Sequence, residues 1–89
     1  MGRKVLITYK VMPADVDVNL EELKSKIIES ISDKCEIKDT KEEPIAFGLK
    51  ALKILVMIEE KEGLAEKIEN SILNIDKVES VEVESLTLI

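Results

Sequence analysis

The side chains that most often carry out covalent or acid–base chemistry are scarce in this sequence of 89 residues. It contains no histidine and a single cysteine, Cys35. Without imidazole, the chain lacks the usual base for a nucleophile and the commonest nitrogen ligand for a metal. No histidine or second cysteine is available to activate Cys35, so we expect an inert, packed thiol.

One stretch has the spacing of metal-binding oxygens. Asp15, Asp17 and Asn19 follow the D-x-D-x-N order that opens a calcium-binding loop. However, Leu20 stands where that loop needs a glycine for its sharp turn, and Lys26 stands where it needs a bidentate carboxylate. We therefore interpret the stretch as a polar loop that leads into a helix, and we predict no bound metal.

Paired carboxylates and glycines offer no better catalytic site. Glutamate pairs occur at positions 42–43 and 59–60, near strand ends, where clustered acids are usually solvated. The three glycines, at positions 2, 48 and 63, are too scattered to form a phosphate-binding loop. We predict a protein that is not an enzyme, holds no cofactor and has no small-molecule substrate of its own.

Charge and aromatic content narrow the class of partner. The formal net charge is −6, and aromatic residues make up only 2% of the chain. RNA-binding sheets usually combine positive charge with exposed aromatic residues on their central strands, and Tyr9 alone is a poor substitute. We expect no direct contact with nucleic acid, and a basic patch on any partner that charge attracts.

The sequence shows no sign of export or membrane insertion. Residues 1–4 lead directly into a strand-like pattern rather than into the apolar run of a signal peptide. The longest apolar run, residues 54–58, is far too short to span a bilayer. A lone cysteine also fits a reducing compartment. The expected location is the cytoplasm, with no membrane contact.

Hydrophobic periodicity predicts six elements that would position any site. In chain order they are a strand over 4–12, a helix that follows Asn19 and carries apolar residues from Leu20 to Ile31, strands over 35–43 and 49–59, a helix over 64–75 and a strand over 78–89. Asn19 and Glu22 have the spacing of a capping box, which favours a helix start at this point.

Each element has a predicted buried face. The expected core residues are Val5, Ile7, Tyr9 and Val11 in the first strand, Leu20, Leu23, Ile27 and Ile31 in the first helix, Leu52, Ile54, Val56 and Ile58 in the third strand, and Leu64, Ile68, Ile72 and Ile75 in the second helix. The highly charged second strand is typical of a sheet edge. In the last strand, valines at 81 and 83 alternate with glutamates at 82 and 84.

The order β-α-β-β-α-β predicts an α+β, ferredoxin-like fold. In that two-layer sandwich, two strand-helix-strand units form a four-stranded antiparallel sheet with both helices on one face. The length fits a single domain over residues 1–89. Many unrelated functions share this fold, so it leaves the function open.

The only phenylalanine, Phe47, lies in the stretch PIAFG, residues 44–48, between two predicted strands. Pro44 and Gly48 are expected to make this stretch a bend. Most phenylalanines are buried, so composition alone favours a side chain tucked under the sheet edge. The alternative is that Phe47 is an interface anchor, because turns next to a cation such as Lys50 often carry binding residues.

The stretch PIAFGLKALKILVMIEE, residues 44–60, resembles the signature of the exchange domain of translation elongation factor 1-beta. That signature has a proline, small residues, an aromatic residue, a glycine and a Leu/Ile-Lys pair before a strand that ends in acids. The opening KVLITYKVMPADVDVNLEELKSKI and the ending VESVEVESLTLI are also similar to the family. The resemblance covers essentially the whole chain, and the length fits the short archaeal form.

This resemblance implies a ferredoxin-like guanine nucleotide exchange factor whose partner is the G protein elongation factor 1-alpha. Such a factor promotes GDP release by disturbing the magnesium and phosphate region, and it forms no covalent bond. The resemblance assigns Phe47 and Gly48 to the partner-facing turn and Lys50 to the basic position that follows it. It also implies that the C-terminal residues Leu88 and Ile89 contact the partner.

One position departs from the pattern of the family. Eukaryotic members carry a lysine next to last, placed to intrude on the magnesium site, and this sequence has Leu88 there. A leucine cannot compete electrostatically with a divalent cation. Either exchange works by steric distortion in this branch, or another cation such as Lys50 or Lys53 contributes.

Two other function classes are compatible with composition and fold. One is a ferredoxin-like regulatory or oligomerisation module that binds a small ligand and commonly dimerises through sheet edges or helices. The charged second strand argues against pairing at that edge. The other is a purely structural subunit.

Overall fold

A computed structural model of the chain describes residues 3–89. The elements are β1 (Lys4–Pro13), α1 (Leu20–Ile31), β2 (Glu36–Ala46), β3 (Leu49–Glu59), α2 (Leu64–Leu73) and β4 (Val78–Leu88). The sheet has the strand order β2-β3-β1-β4, and every neighbouring pair is antiparallel. The ferredoxin-like α+β fold is therefore confirmed.

The hydrophobic core lies between one face of the sheet and the two helices. Its buried members are Val5, Ile7, Tyr9, Val11, Leu23, Ile27, Ile31, Leu52, Ile54, Val56, Ile58, Ile68 and Ile72. These residues come from alternate positions of β1 and β3 and from one stripe of each helix, as the periodicity predicted. Leu20, Leu64 and Ile75 pack against this core but are only partly buried.

Helix α1 begins where the capping signal predicted. The side-chain oxygen of Asn19 accepts hydrogen bonds from the backbone N–H groups of Glu21 and Glu22, at 3.0 and 3.2 Å. These bonds satisfy two donors that have no partner inside the helix. The carboxylates of Glu21 and Glu22 also lie in the first turn, where the helix dipole favours negative charge.

Tyr9 connects the central strand to the second helix. Its ring is fully buried on the helix-facing side of β1, and its hydroxyl donates a hydrogen bond to the backbone oxygen of Ala65 in α2, at 3.1 Å. Burial, together with the nearby negative charge of Glu69, raises the pKa of Tyr9 well above its usual value. A tyrosine in this position has no exposed face on which a base could stack.

The last two elements depart slightly from their predicted bounds. Helix α2 ends at Leu73, two residues before the predicted end, because the chain turns there towards β4 and passes through Lys77 in a left-handed conformation (φ 74°). In β4, Val81 and Val83 lie opposite Val11 and Tyr9, on the helix-facing side. The register then shifts between Val83 and Ser85, which forms a bulge in β4.

The two edges of the sheet are β2 and β4. The edge position of the charged second strand is therefore confirmed. On the outer face of β3, Lys53, Leu55 and Met57 are half-buried, which agrees with the prediction that both faces of this strand are partly covered. Neither α1 nor α2, the helices within residues 3–89, is long and apolar enough to cross a membrane.

Candidate functional site

The stretch predicted to be a five-residue bend is mostly strand. β2 continues through Pro44 and Ile45 to Ala46, which pairs with Leu49 of β3. A proline has no N–H for the ladder, but it is tolerated here because β2 is an edge strand and its register shifts between Pro44 and Ala46. The prediction that Pro44 forms part of the turn was wrong, and the turn is reduced to Phe47 and Gly48.

This two-residue turn holds Phe47 in an unusual conformation. Both turn residues have positive φ angles, 52° for Phe47 and 80° for Gly48, as a type I′ hairpin turn requires. Glycine adopts such angles freely, whereas a left-handed conformation costs a residue with a Cβ about 1–2 kcal/mol. Asparagine or aspartate usually precedes glycine in such turns, so a bulky aromatic residue here is exceptional.

The side chain of Phe47 is fully exposed to solvent. The expectation from composition alone, that Phe47 is tucked under the sheet edge, was therefore wrong, whereas the exposure expected from the family resemblance is observed. Phe47 lies at the hairpin tip, beyond the last paired residues, Ala46 and Leu49, and it is not among the residues that pack against the core. The residue is both strained and fully exposed, and neither property stabilises the fold.

Two further apolar side chains are exposed at this end of the molecule. Ile45 lies at the bulge of β2, two residues before Phe47, and Val16 lies in the loop between β1 and α1. A depression of about 340 Å³ separates that loop from the hairpin, and Val16, Gly48 and Lys50 all line it. Together with the turn, these residues form what we call the hairpin end: Val16, Ile45, Phe47, Gly48 and Lys50.

Sequence patterns missed Val16 and Ile45. Val16 stands alone between two aspartates in a loop, where no periodicity can assign it to a face. Ile45 follows a proline and has the composition of a buried strand residue. Only the register of β2 against β3 shows that Ile45 falls at a bulge.

Lys50 carries the accessible charge of the hairpin end. Its ammonium group lies 3.9 Å from a carboxylate oxygen of Glu42 on the neighbouring strand, and its side chain is about half exposed. An exposed ion pair of this length contributes little stability. The ammonium group can therefore exchange Glu42 for an acidic group on another molecule at little cost.

Lys53 is held by two carboxylates instead. Its ammonium group lies 2.7 Å from an oxygen of Glu43 in β2 and 2.7 Å from an oxygen of Glu84 in β4. The hydrogen bond to Glu43, and to a smaller extent the one to Glu84, raises the pKa of Lys53. The same bond with Lys53 lowers the pKa of Glu43. This charge connects the two edge strands across the outer face of the sheet, so it is less available than Lys50 for a partner.

The C-terminal residues assigned to the partner surface lie at the other end of the sheet. Leu88 pairs with Val5 of β1, and the backbone N–H of Ile89 donates a hydrogen bond to the oxygen of Lys4, at 2.9 Å. Both side chains are exposed. We call Leu88 and Ile89 the C-terminal end.

The two ends are far apart along the strands. Val5, the partner of Leu88, also pairs with Ile58 of β3, and Ile58 lies eight residues beyond Lys50. At 3.3 Å per residue, this separation is about 26 Å. The structure therefore brings Phe47, Gly48 and Lys50 together and leaves Leu88 and Ile89 apart from them. Lys50 cannot supply a positive charge at the position of Leu88.

Cys35 follows α1 and is partly buried. Its thiol donates a hydrogen bond to the backbone oxygen of Ile31, at 3.3 Å. Burial, with a smaller contribution from the charge of Asp33, raises the pKa of Cys35 to about 11. Its partial burial agrees with the predicted packed thiol, and with a raised pKa we expect it to be largely unreactive at neutral pH. Within residues 3–89, no group of three cysteine, aspartate or glutamate side chains is arranged to hold a metal ion.

Comparison with protein families gives a match over nearly the whole chain. Residues 6–89 match the family described as the EF-1 guanine nucleotide exchange domain. Among curated proteins, the chain is 49% identical over 84 residues to elongation factor 1-beta of Staphylothermus marinus, with 93% of each chain covered. It is 40% identical to elongation factor 1-beta of Archaeoglobus fulgidus, with 96% of this chain and 97% of that one covered.

A third relative extends the match to a methanogen. Elongation factor 1-beta of Methanocaldococcus jannaschii is 44% identical over 85 residues, which cover 94% of this chain and 96% of that one. Among solved structures, the C-terminal domain of the MgtC protein from Mycobacterium tuberculosis superposes with a TM-score of 0.62 over 99% of this chain and 88% of that one. Its sequence identity is 10%, so this likeness concerns the fold alone.

Proposed function

The chain belongs to the EF-1 guanine nucleotide exchange domain family, and we propose that it accelerates GDP release from the G protein elongation factor 1-alpha. Its role in guanine nucleotide exchange during translation elongation follows from the family. The identity of the G protein, the direction of exchange and the contact residues are the proposal. Near-complete coverage of relatives named elongation factor 1-beta supports this choice of partner.

The observation that carries the proposal is the state of Phe47. A fully exposed phenylalanine at positive φ lowers the stability of the free protein, and it is explained if the ring becomes buried on a partner. Aromatic anchors that fill a pocket are typical of the few interface residues that dominate affinity. The two-residue turn fixes the backbone at Phe47 before binding, so little backbone entropy is lost at this position on association.

The proposed contact surface has two parts. At the hairpin end, Phe47 and Gly48 contact the G protein and Lys50 binds an acidic group. At the C-terminal end, Leu88 and Ile89 supply an apolar contact. With about 26 Å between the two ends, the rigid sheet sets the distance between two regions of the partner.

Exchange by such a protein needs no chemical step on its own residues. The factor must bind the nucleotide-free G protein more tightly than the GDP-bound form, because only a difference in affinity shifts the equilibrium between them. Leu88 carries no charge that could displace magnesium, so we propose that contacts at the C-terminal end distort the nucleotide site sterically. Exchange should then remain sensitive to the magnesium concentration.

The test of the function is the release of labelled GDP from elongation factor 1-alpha, with and without this protein, at several magnesium concentrations. We expect faster release that depends on the concentration of the added protein. If release is unaffected at every magnesium concentration, the proposal is wrong.

The contact surface is tested by replacing Phe47 with alanine. We expect Phe47→Ala to weaken binding to the nucleotide-free G protein by about 30-fold, the effect of losing roughly 2 kcal/mol at an anchor residue, while the urea midpoint hardly changes. Leu73→Ala is the matched control, because it also shortens an exposed apolar side chain but lies on α2. Equal losses of affinity in both variants would argue against an anchor at the turn.

Leu88→Lys tests the position at which this chain departs from eukaryotic members of the family. If the geometry for an intruding lysine is present at the C-terminal end, this variant should release GDP faster than the wild type, with the largest gain at high magnesium. Unchanged release together with unchanged binding would mean that the side chain at position 88 does not reach the nucleotide site.

A further inference from the structure

The last part of β4 is an open sheet edge. The backbone N–H of Ile89 donates a hydrogen bond to the oxygen of Lys4. Thr87, two residues earlier, pairs with Leu6, so its backbone groups also face β1. Because inward and outward positions alternate along an antiparallel strand, Leu86 and Leu88 direct their N–H and C=O groups away from β1. On their free side, within the part of the chain that the structure describes, no strand covers these groups.

The opposite edge of the sheet is protected and this one is not. β2 carries lysines, glutamates, Pro44 and two register shifts, all of which discourage the addition of another strand. In β4, the segment from Ser85 to Ile89 contains no charge and no proline, and the bulge at Glu84 precedes it. Of the two sheet edges, only the one at residues 85–89 lacks these protective features.

The side chains along this segment are apolar and exposed. Leu86, Leu88 and Ile89 are 56%, 50% and 65% exposed. Leu86 and Leu88 lie opposite Ile7 and Val5, on the helix-facing side of the sheet. They therefore continue the apolar surface of the core to the exposed edge of the sheet. An added strand with apolar residues at matching positions would cover both leucines.

We propose that in the free protein this edge pairs with the same edge of a second copy, so that the chain forms a symmetric dimer through residues 85–89. This dimer must separate before Leu88 and Ile89 can contact the G protein. The order Leu-Thr-Leu reads the same in both directions about Thr87. In an antiparallel pairing centred on Thr87, each Leu86 faces the Leu88 of the other copy, and each such pair exchanges two N–H···O bonds. The two Thr87 residues then face each other as a non-hydrogen-bonded pair, the arrangement in which cross-strand side chains lie closest.

The local arrangement of charge along β4 is compatible with a second copy as the occupant. The acidic residues of β4, Glu79, Glu82 and Glu84, lie outside the paired segment, so like charges do not face each other across the axis. Because only one edge lacks the protective features, association stops at two copies and cannot propagate into a filament. The net charge of −6 on each copy opposes the approach of the two copies, so added salt should strengthen the dimer.

The dimer is expected to be weak. Pairing five residues buries less surface than the 1,200 Å² or so of a stable interface, so we expect a dissociation constant in the range of weak complexes, roughly 0.1–1 mM. The first test is sedimentation equilibrium from about 20 μM to about 2 mM. We expect the average mass to rise with concentration, and to rise more in 0.5 M salt than at low salt.

Leu86→Lys places on this edge the kind of charge that protects β2, and it should keep the protein monomeric over the same range. Leu73→Lys is the control, because Leu73 is comparably exposed, at 45%, but lies on α2 away from the edge. A wild type that stays monomeric at every concentration overturns the proposal. The proposal is also wrong if both lysine variants dimerise as the wild type does. It is equally wrong if Leu86→Lys weakens binding to the G protein but still dimerises.

The register is tested by cross-linking in a Cys35→Ser background, which removes the native thiol. Thr87→Cys should form an intermolecular disulfide readily, because the twofold axis brings the two side chains together. Ser80→Cys, on the same strand outside the paired segment, should cross-link at least about tenfold more slowly. Equal rates for the two cysteine variants would exclude the pairing centred on Thr87.

Discussion

At the scale of single residues, Phe47 presents a conflict between stability and the anchor role that we propose for it. Gly48 fits the positive φ of the turn, and nothing lies within 4 Å of the position where its Cβ would be, so conformation rather than space favours glycine there. Phe47 has the same sign of φ but carries the largest apolar side chain in the hairpin, fully exposed. A chain selected for stability alone would place asparagine at this position.

This conflict predicts that Phe47→Asn makes the protein more stable and less active. Asparagine tolerates the left-handed conformation, so the free energy of unfolding should rise by about 1 kcal/mol. Urea unfolding monitored by circular dichroism measures this change. Phe47→Ala is the control, because it removes the ring but keeps a Cβ in the strained conformation, so it should bring much less stabilisation. If Phe47→Asn is no more stable than Phe47→Ala, the strain at this turn is negligible.

Cys35 gives a second prediction at this scale. Because burial raises its pKa to about 11, little thiolate is present at pH 8, and alkylation by iodoacetamide should be about 10- to 100-fold slower in the native protein than in urea. The rate in the native protein should climb as pH approaches 11. Mass spectrometry of quenched samples follows both rates. Equal rates in the native and unfolded protein at pH 8 would contradict the assigned burial.

At the scale of secondary-structure elements, the hydrogen bond from the Tyr9 hydroxyl to the backbone oxygen of Ala65 connects β1 to α2. Tyr9→Phe keeps the ring in the core and removes only this hydrogen bond. The free energy of unfolding should fall by about 1 kcal/mol, because the change leaves the partly buried backbone oxygen of Ala65 without this donor. Urea midpoints of the two proteins at pH 7 measure the loss. An unchanged midpoint would show that water replaces the bond without penalty.

The same residue determines a dependence on alkaline pH. In the unfolded chain the tyrosine ionises near pH 10, whereas burial keeps Tyr9 protonated in the folded protein. Above that pH the unfolded state binds fewer protons than the folded state, so the contribution of Tyr9 to stability is complete below pH 10 and is lost as pH rises. The gap in stability between the wild type and Tyr9→Phe should therefore shrink above pH 10. A gap that stays constant up to pH 11.5 would mean that Tyr9 ionises normally.

Element by element, periodicity predicted most of the fold. Strands β1 and β3 and helix α1 have alternating or stripe-like apolar residues, and their faces were correctly assigned because burial dominates those patterns. The end of β2 was missed because Pro44 normally interrupts a strand, and only its place on an edge beside a bulge makes it tolerable. The end of α2 was misplaced by two residues, because Ile75 continues the apolar stripe after the helix has ended.

The candidate site was less predictable than the fold. Composition favoured a buried Phe47, and the family resemblance favoured an exposed one. Periodicity could not decide between them, because the exposure of Phe47 depends on the length of the turn between Ala46 and Leu49. The separation of Leu88 from Lys50 depends on strand register, which no local pattern reveals. Whether any of these residues contact a partner stays a prediction.

At the scale of the whole molecule, the rigid sheet between the hairpin end and the C-terminal end makes a quantitative prediction about binding. Residues more than about 10 Å apart with no shared neighbours contribute independently, and Lys50 and Leu88 are separated by about 26 Å along the strands. The losses of binding free energy caused by Phe47→Ala and Leu88→Ala should therefore add within about 0.5 kcal/mol in the double variant.

This additivity is measured as the affinity of the wild type, the two single variants and the double variant for nucleotide-free elongation factor 1-alpha. The Phe47→Ala, Leu73→Ala pair provides a control, in which the second change should add nothing. A double variant that binds no more weakly than Phe47→Ala alone would mean that the C-terminal end makes no contact of its own. A loss well above the sum would mean that the partner engages both ends in one cooperative step, with the sheet between them transmitting the coupling rather than serving as a passive spacer.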